Sequence, residues 1–276
     1  MLGSPGFIKP KLESVSYYRL SGYWHPFRDL PGDNFKPNTQ FQQVWDQYVF
    51  DRRLRLLVMD AIERFEIAIR GLVAFEHSKV YGPFGYATDS ASLPTLVGGP
   101  RLTFFDNLSK ELCRSQETFV DHYKQKYFSE PYFPIWMATE VMSFGLVSRL
   151  FRDSPKPIRN AVAIKFGVNE DVLGSWCLTL NTVRNICAHH GRFWNRPLKP
   201  TPKLPRRHSS PKWDSPVQIP RGTAFTVLTI CKHCLDVLSP GHKWGDRVKT
   251  LIANSTTIPI ARMGFPPNWQ QSKIWI

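Results

Sequence analysis

Nowhere in this chain do some 18 apolar residues run together, so no helix long enough to cross a bilayer is predicted. The amino-terminal stretch MLGSPGFIKPK has none of the extended apolar core of a secretory leader. Cysteine is scarce, with Cys113, Cys177, Cys187, Cys231 and Cys234 the only five in 276 residues. Three of them fall inside apolar periodic segments, which argues against a disulfide framework and for a reducing compartment. A cytoplasmic protein is predicted. Acidic residues are also few. Asp and Glu number 22 against 36 Lys and Arg, a formal charge of +14. Such a surplus favours polyanionic partners, nucleic acid first among them, and no membrane association is expected. No Gly-rich phosphate loop, dinucleotide fingerprint or Ser-His-Asp order stands out, so those chemistries have no support. Internal repeats and convincing runs of alternating strands are missing too.

What the chain does have is helical periodicity. Between Thr39 and Gly82-Pro83, the apolar residues Val44, Tyr48, Leu54, Leu57, Val58, Ile62, Phe65, Ile69, Leu72 and Phe75 recur in steps of three and four. These steps predict one long amphipathic helix. Further helices are predicted over 105–127, 134–153, 158–166, 171–190, 224–238 and 246–253, with Asn169 as a cap and Gly191 as a stop. Residues 1–38 read as an irregular, aromatic N-terminal segment. Residues 192–222 read as a basic, Pro-rich loop whose only acid is Asp214, and 255–276 as an irregular tail. The prediction is a single mainly α domain over 1–276, a helical bundle with long irregular aromatic and basic connections.

The stretch RNICAHHGRFWNR, residues 184–196, sets two histidines side by side. On a helical wheel Val172, Trp176, Leu180, Val183 and Cys187 share one quadrant, and His190 falls in its centre. His189 falls on the opposite side with Asn185, and Arg184 sits on the flank. His190 is therefore expected in the core and His189 outside. A histidine in the last helical turn, where the dipole favours a cation, beside an arginine suits a site that meets phosphate and can move protons. Arg184 and His189 diverge by about 140° on a regular helix. Two copies related by a two-fold axis would frame a cleft better than one, so a homodimer is predicted. Cys231-Lys232-His233-Cys234 reads as a buried mid-helix pair before a metal site, and no metal is assigned. Glu63, Glu66 and Glu76 read as ion-paired face residues. Tyr17, Tyr18, Tyr23 and Trp24 read as core packing before a base-stacking platform, and Arg19 and His25 could reach the site.

Arg184-Asn185-x3-His189 resembles the R-x4-H pattern of HEPN ribonucleases. Around it, YYRLSGYWHPF, PIWMATEVMSFGLVSRLF, RNICAHHGRFWNR and MGFPPNW follow one another as in the abortive-infection (Abi-like, AbiD/AbiF type) bacterial family. The resemblance runs from about Tyr17 to Trp275. It implies a HEPN-like helical fold, a role in phage defence or as a toxin, and action on RNA. Carried over, Arg184 and His189 would promote metal-independent RNA cleavage at a dimer interface, with Asn185 as polar companion. Where relatives often carry a histidine after the counterpart of Arg70, this chain has Glu76 beside His77, and no second catalytic centre is assigned.

The chemistry implied is that of an endoribonuclease leaving a 2′,3′-cyclic phosphate, with His189 moving a proton and Arg184 neutralising charge on the phosphorane. No cofactor is required. In the basic loop, Arg192, Arg196, Lys199, Lys203, Arg206, Arg207 and Lys212 are assigned to phosphates. Trp194, with Phe193 and Trp213, is assigned to unpaired bases of single-stranded or loop RNA. The alternative is a non-cleaving protein that associates with a noncoding RNA; a toxin acting through protein contacts is a third reading.

Overall fold

A computed structural model describes residues 1–29, 32 and 34–276. The architecture is mainly α. The helices are α1 (Pro5–Val15), α2 (Tyr17–Trp24), α3 (Phe41–Tyr81), α4 (Gly85–Thr88), α5 (Gly98–Arg114), α6 (Thr118–Lys126), α7 (Ile135–Val141), α8 (Phe144–Asp153), α9 (Lys156–Ile164), α10 (Glu170–Ala188), α11 (Ala224–Leu238) and α12 (Trp244–Ala253). Among the described residues extended pairing is limited to two isolated bridges, Leu2 with Gln40 and Arg28 with Phe35. No described helix is long and apolar enough to cross a membrane.

The 41-residue α3 is the spine, and α2, α7, α8, α9, α10, α11 and α12 all pack on it. It forms because its apolar residues recur at helical spacing, burying Val44, Leu54, Val58, Ile62, Phe65 and Ile69 on one stripe. Gly82, with φ of 69°, takes the chain out of the helix as the sequence predicts. Phe75 departs from its predicted place and is 59% exposed. It lies about 240° round the helix from Ile69, and the buried stripe continues instead through Val73, Ala74 and His77.

Three predicted boundaries are corrected. Residues 5–24, read as irregular, form α1 and α2. The Ser16 hydroxyl accepts from the Arg19 amide to start α2, and Leu20, Tyr23 and Trp24 bury one face of that helix. The helix predicted over 134–153 is broken at Met142-Ser143. There the Arg70 guanidinium, held by Glu66, takes the carbonyls of Thr139 and Met142, and the Ser143 amide donates to Glu111 Oε2 at 2.7 Å. The helix predicted over 105–127 starts earlier and breaks after Arg114, where Ser115 and Glu117 are extended.

Residues 192–222 do not stand off as a solvated loop. They form a strap along α10. Trp176 Nε1 donates to the Lys203 carbonyl (2.8 Å), Thr179 Oγ1 to that of Pro200 (3.0 Å), and the Lys203 amide to Ser175 Oγ (2.9 Å). The strap buries Phe193, Trp194, Leu198, Trp213, Val217 and Ile219, apolar area that stabilises it at roughly 25 cal/mol per Å². The tail folds back through Trp269 and Trp275, both buried with Phe225, and Trp275 Nε1 donates to Thr229 Oγ1 at 3.0 Å.

Candidate functional site

The stripe read on α10 is buried as predicted: Val172, Trp176, Leu180, Val183 and Cys187 are all at most 5% exposed. Asn169 caps the helix, its side chain accepting from the Val172 amide at 2.8 Å. The other end differs. The helix stops at Ala188, His189 is its C-cap, and His190 takes a left-handed backbone with φ of 56°. The His190 amide donates to Cys187 O (3.0 Å) and the Gly191 amide to Ile186 O (2.7 Å), the paired bonds of a Schellman termination. Gly191 sits one place later than a helix-stopping glycine would, where a Cβ would crowd the Ile186 carbonyl oxygen at 3.1 Å. His190 is consequently exposed, not in the core. Two residues past the last helical turn, the 100° step no longer decides where it points. His189 is exposed, as read.

The turn after α10 is locked to α2 by a reciprocal pair. Arg19 Nη1 donates to the His190 carbonyl at 2.8 Å, and Arg192 Nη1 donates to the carbonyl of Gly22. Beneath them lies a buried hub that sequence reasoning missed. Asp51 of α3 is fully buried and accepts from Tyr23 Oη (2.7 Å), from the Arg55 guanidinium, and from the backbone amides of Phe193 (3.1 Å) and Trp194 (2.7 Å). Burial pushes the Asp51 carboxyl above the usual carboxylate range, against the pull of these donors. Burial and the neighbouring carboxylate push the Tyr23 hydroxyl well up, so it stays a donor. The signal for Asp51 is present in the sequence: it sits on the core stripe, between Val44 and Leu54, where an acid needs a partner.

Above the hub opens a cleft of about 310 Å³ lined by Ser16, Tyr18, Arg19, Gly22, Tyr23, His189, His190, Gly191 and Arg192. It has two arginines, two histidines and no Asp or Glu. Tyr17 and Tyr18, read as core packing, are 62% and 87% exposed, whereas Tyr23 and Trp24 are buried as read. Arg184 and Asn185 meet each other, Arg184 Nη1 lying 3.4 Å from Asn185 Oδ1, but neither lines this cleft. A single copy therefore brings His189 together with Arg19 and Arg192, and leaves Arg184 and Asn185 on a neighbouring surface.

The strap residues divide. Arg196, Lys199 and Arg206 are exposed with no ion-pair partner among the described residues. Lys203 Nζ lies 3.8 Å from Asp171, and Arg207 Nε is paired with Asp214 at 3.2 Å; both remain largely exposed. Lys212 is corrected. It is half-buried and its ammonium donates to His233 Nδ1 at 3.1 Å, with His233 Nε2 donating in turn to the Phe166 carbonyl at 2.8 Å. Burial pulls the Lys212 pKa down, and burial together with this lysine brings that of His233 to about 4. Lys212 thus fastens the strap to α11. Trp194 is corrected as well: it is fully buried, as are Phe193 and nearly all of Trp213, so none offers a face to a base. The apolar strap needs those rings to hold it down. Cys231 and Cys234 are buried thiols pushed upward by burial. Glu66 and Glu76 are paired with Arg70 and Lys79. His77, beside Glu76, is fully buried, 3.3 Å from the Ser92 carbonyl.

A model of the family described as Abi-like protein matches residues 10–195, which takes in both α2 and the end of α10. No curated protein and no solved structure matches the chain.

Proposed function

From a chain that belongs to the Abi-like protein family, we propose a protein of abortive infection that acts on RNA as a metal-independent endoribonuclease. One observation carries this reading: His189, the histidine of the R-x4-H pattern, is exposed and lines an acid-free cleft together with two arginines anchored by backbone carbonyls. In the proposed reaction a histidine takes the proton of a ribose 2′-hydroxyl. The oxygen attacks the adjacent phosphorus, the bond to the 5′-oxygen breaks, and that oxygen takes its proton from the protonated histidine of the second copy as it leaves. The products are a 2′,3′-cyclic phosphate and a 5′-hydroxyl. Guanidinium groups neutralise the charge that grows on the phosphorus oxygens. Arg184 and Asn185 lie outside the cleft of a single copy, so the reading includes a homodimer in which they complete the partner's site.

That same separation favours a second reading, a non-cleaving protein that binds a noncoding RNA through its basic strap. Induction followed by mapping of cellular RNA ends, and cleavage of purified RNA in chelator, decides between them. The endoribonuclease leaves cyclic phosphate ends, and His189→Ala abolishes cleavage and growth arrest while RNA binding persists. Intact RNA with tight binding in the unsubstituted protein supports the second reading. Cleavage undiminished in His189→Ala removes His189 from the mechanism.

A further inference from the structure

The most exposed aromatic residue on this face is Tyr18. It projects from α2 at the rim of the cleft that holds His189, 87% exposed. Its neighbour Tyr17 is partly covered by Trp24, ring centroids 4.8 Å apart at 63°. Tyr18 has no ring partner among the described residues, and its hydroxyl makes no hydrogen bond there. An 87% exposed tyrosine contributes almost nothing to the core. The helix that carries it is held in place by buried Leu20, Tyr23 and Trp24, so the ring is mounted on a fixed support. Beside it, Arg19 and Arg192 each spend one guanidinium nitrogen on a backbone carbonyl across the α2–α10 junction. Their remaining N–H groups are thereby oriented before any ligand arrives, which lowers the ordering cost of binding an anion. A flat aromatic face beside two fixed cations in an acid-free cleft matches the two parts of a nucleotide, base and phosphate. At about 310 Å³ the cleft is at the small end of ligand pockets, roughly 300–1,000 Å³, a size for one unit and not a duplex.

We propose that this cleft is a subsite for one unpaired nucleotide, whose base stacks on Tyr18 while Arg19 and Arg192 hold the adjoining phosphate. The inference rests on the RNA-directed reading above and adds how RNA is selected. A stacking face accepts any base but only an unpaired one. Tyr18 is then a specificity residue for single-stranded segments, and it sets the phosphodiester beside His189.

The test measures binding of a fully 2′-O-methylated hexa-adenylate, which lacks the 2′-hydroxyl nucleophile, and of a blunt RNA duplex, using the full chain. Tyr18→Ala should weaken hexamer binding by about tenfold, the usual loss for one stacked base, while Tyr18→Phe and Tyr18→Trp hold affinity within about twofold. Duplex binding should not change. Because Tyr18 is exposed, Tyr18→Ala should melt with the unsubstituted protein. No hexamer binding by the unsubstituted chain, unchanged hexamer affinity in Tyr18→Ala, or equal losses for hexamer and duplex would each overturn the proposal. So would loss accompanied by a change in sedimentation, which would assign Tyr18 to a contact between copies. Since the hexamer cannot be cut, these results are independent of cleavage. An active nuclease with an indifferent Tyr18 sinks only the subsite, and an inactive protein with a stacking Tyr18 sinks only the nuclease.

Discussion

His190 holds its backbone at φ of 56°, in the left-handed region that few residues with a Cβ adopt, histidine more often than most. Its carbonyl is fixed by Arg19 and its amide by Cys187, and its side chain is exposed. The left-handed conformation costs about 1–2 kcal/mol for a side chain with a Cβ, and glycine gives back roughly 0.5–1 kcal/mol through its freer unfolded state. His190→Gly should therefore raise stability by about 0.5–1 kcal/mol, read as a higher urea midpoint at unchanged slope. A loss of stability would mean the imidazole is held by contacts absent from the single chain. Wheel geometry chose correctly up to Cys187 and failed only at His190, because periodicity does not say where a helix ends. The end is set by the Schellman turn, in which the His190 and Gly191 amides reach back to the Cys187 and Ile186 carbonyls.

At the scale of elements, one carboxyl ties three segments together: α2 through Tyr23, α3 through Arg55, and the start of the strap through two amides. Removing it strands a buried guanidinium, a buried hydroxyl and two amides. Asp51→Ala should destabilise the protein by about 3–5 kcal/mol, the range for breaking a buried pair from one side. Thermal unfolding checks this, and a loss under about 1 kcal/mol would show the junction to be held by packing alone. Elements whose cause is local were legible: Gly82 ends α3, Asn169 starts α10, and α11 spans the predicted 224–238. Breaks caused from a distance were not. Arg70 interrupts α7 and α8 from 69 positions away, and the eight-residue α2 is too short and aromatic for periodicity to show. The site suffered the same asymmetry. His189 is legible from its own helix, and Arg19, read as able to reach it, does line the cleft while His25 does not; Asp51 enters from an element distant in sequence and was not legible as part of it.

Across the whole molecule, the surplus of +14 needs a place to act. The exposed strap residues Arg196, Lys199 and Arg206 carry three cations with no ion-pair partner among the described residues, on the strap that begins at the cleft residue Arg192. Arg207 and Lys212 already have partners in Asp214 and His233 and are poorer choices. A phosphate held by a free cation releases a condensed counterion, and each such contact on a single strand contributes about 0.7 to the slope of log affinity against log salt. Neutralising Arg196, Lys199 and Arg206 together to Gln should therefore flatten that slope by about two units for single-stranded RNA. Tyr18→Ala should lower affinity while leaving the slope alone, because stacking releases no counterion. The two sets of variants thus separate a strap that follows the backbone from a cleft that takes a base. A triple variant with an unaltered slope would move the electrostatic footprint elsewhere on the surface, the groove between α3 and α12 being the next place to neutralise, at Arg53 and Lys243, which are exposed with no ion-pair partner among the described residues, whereas Arg247 is paired with Asp60.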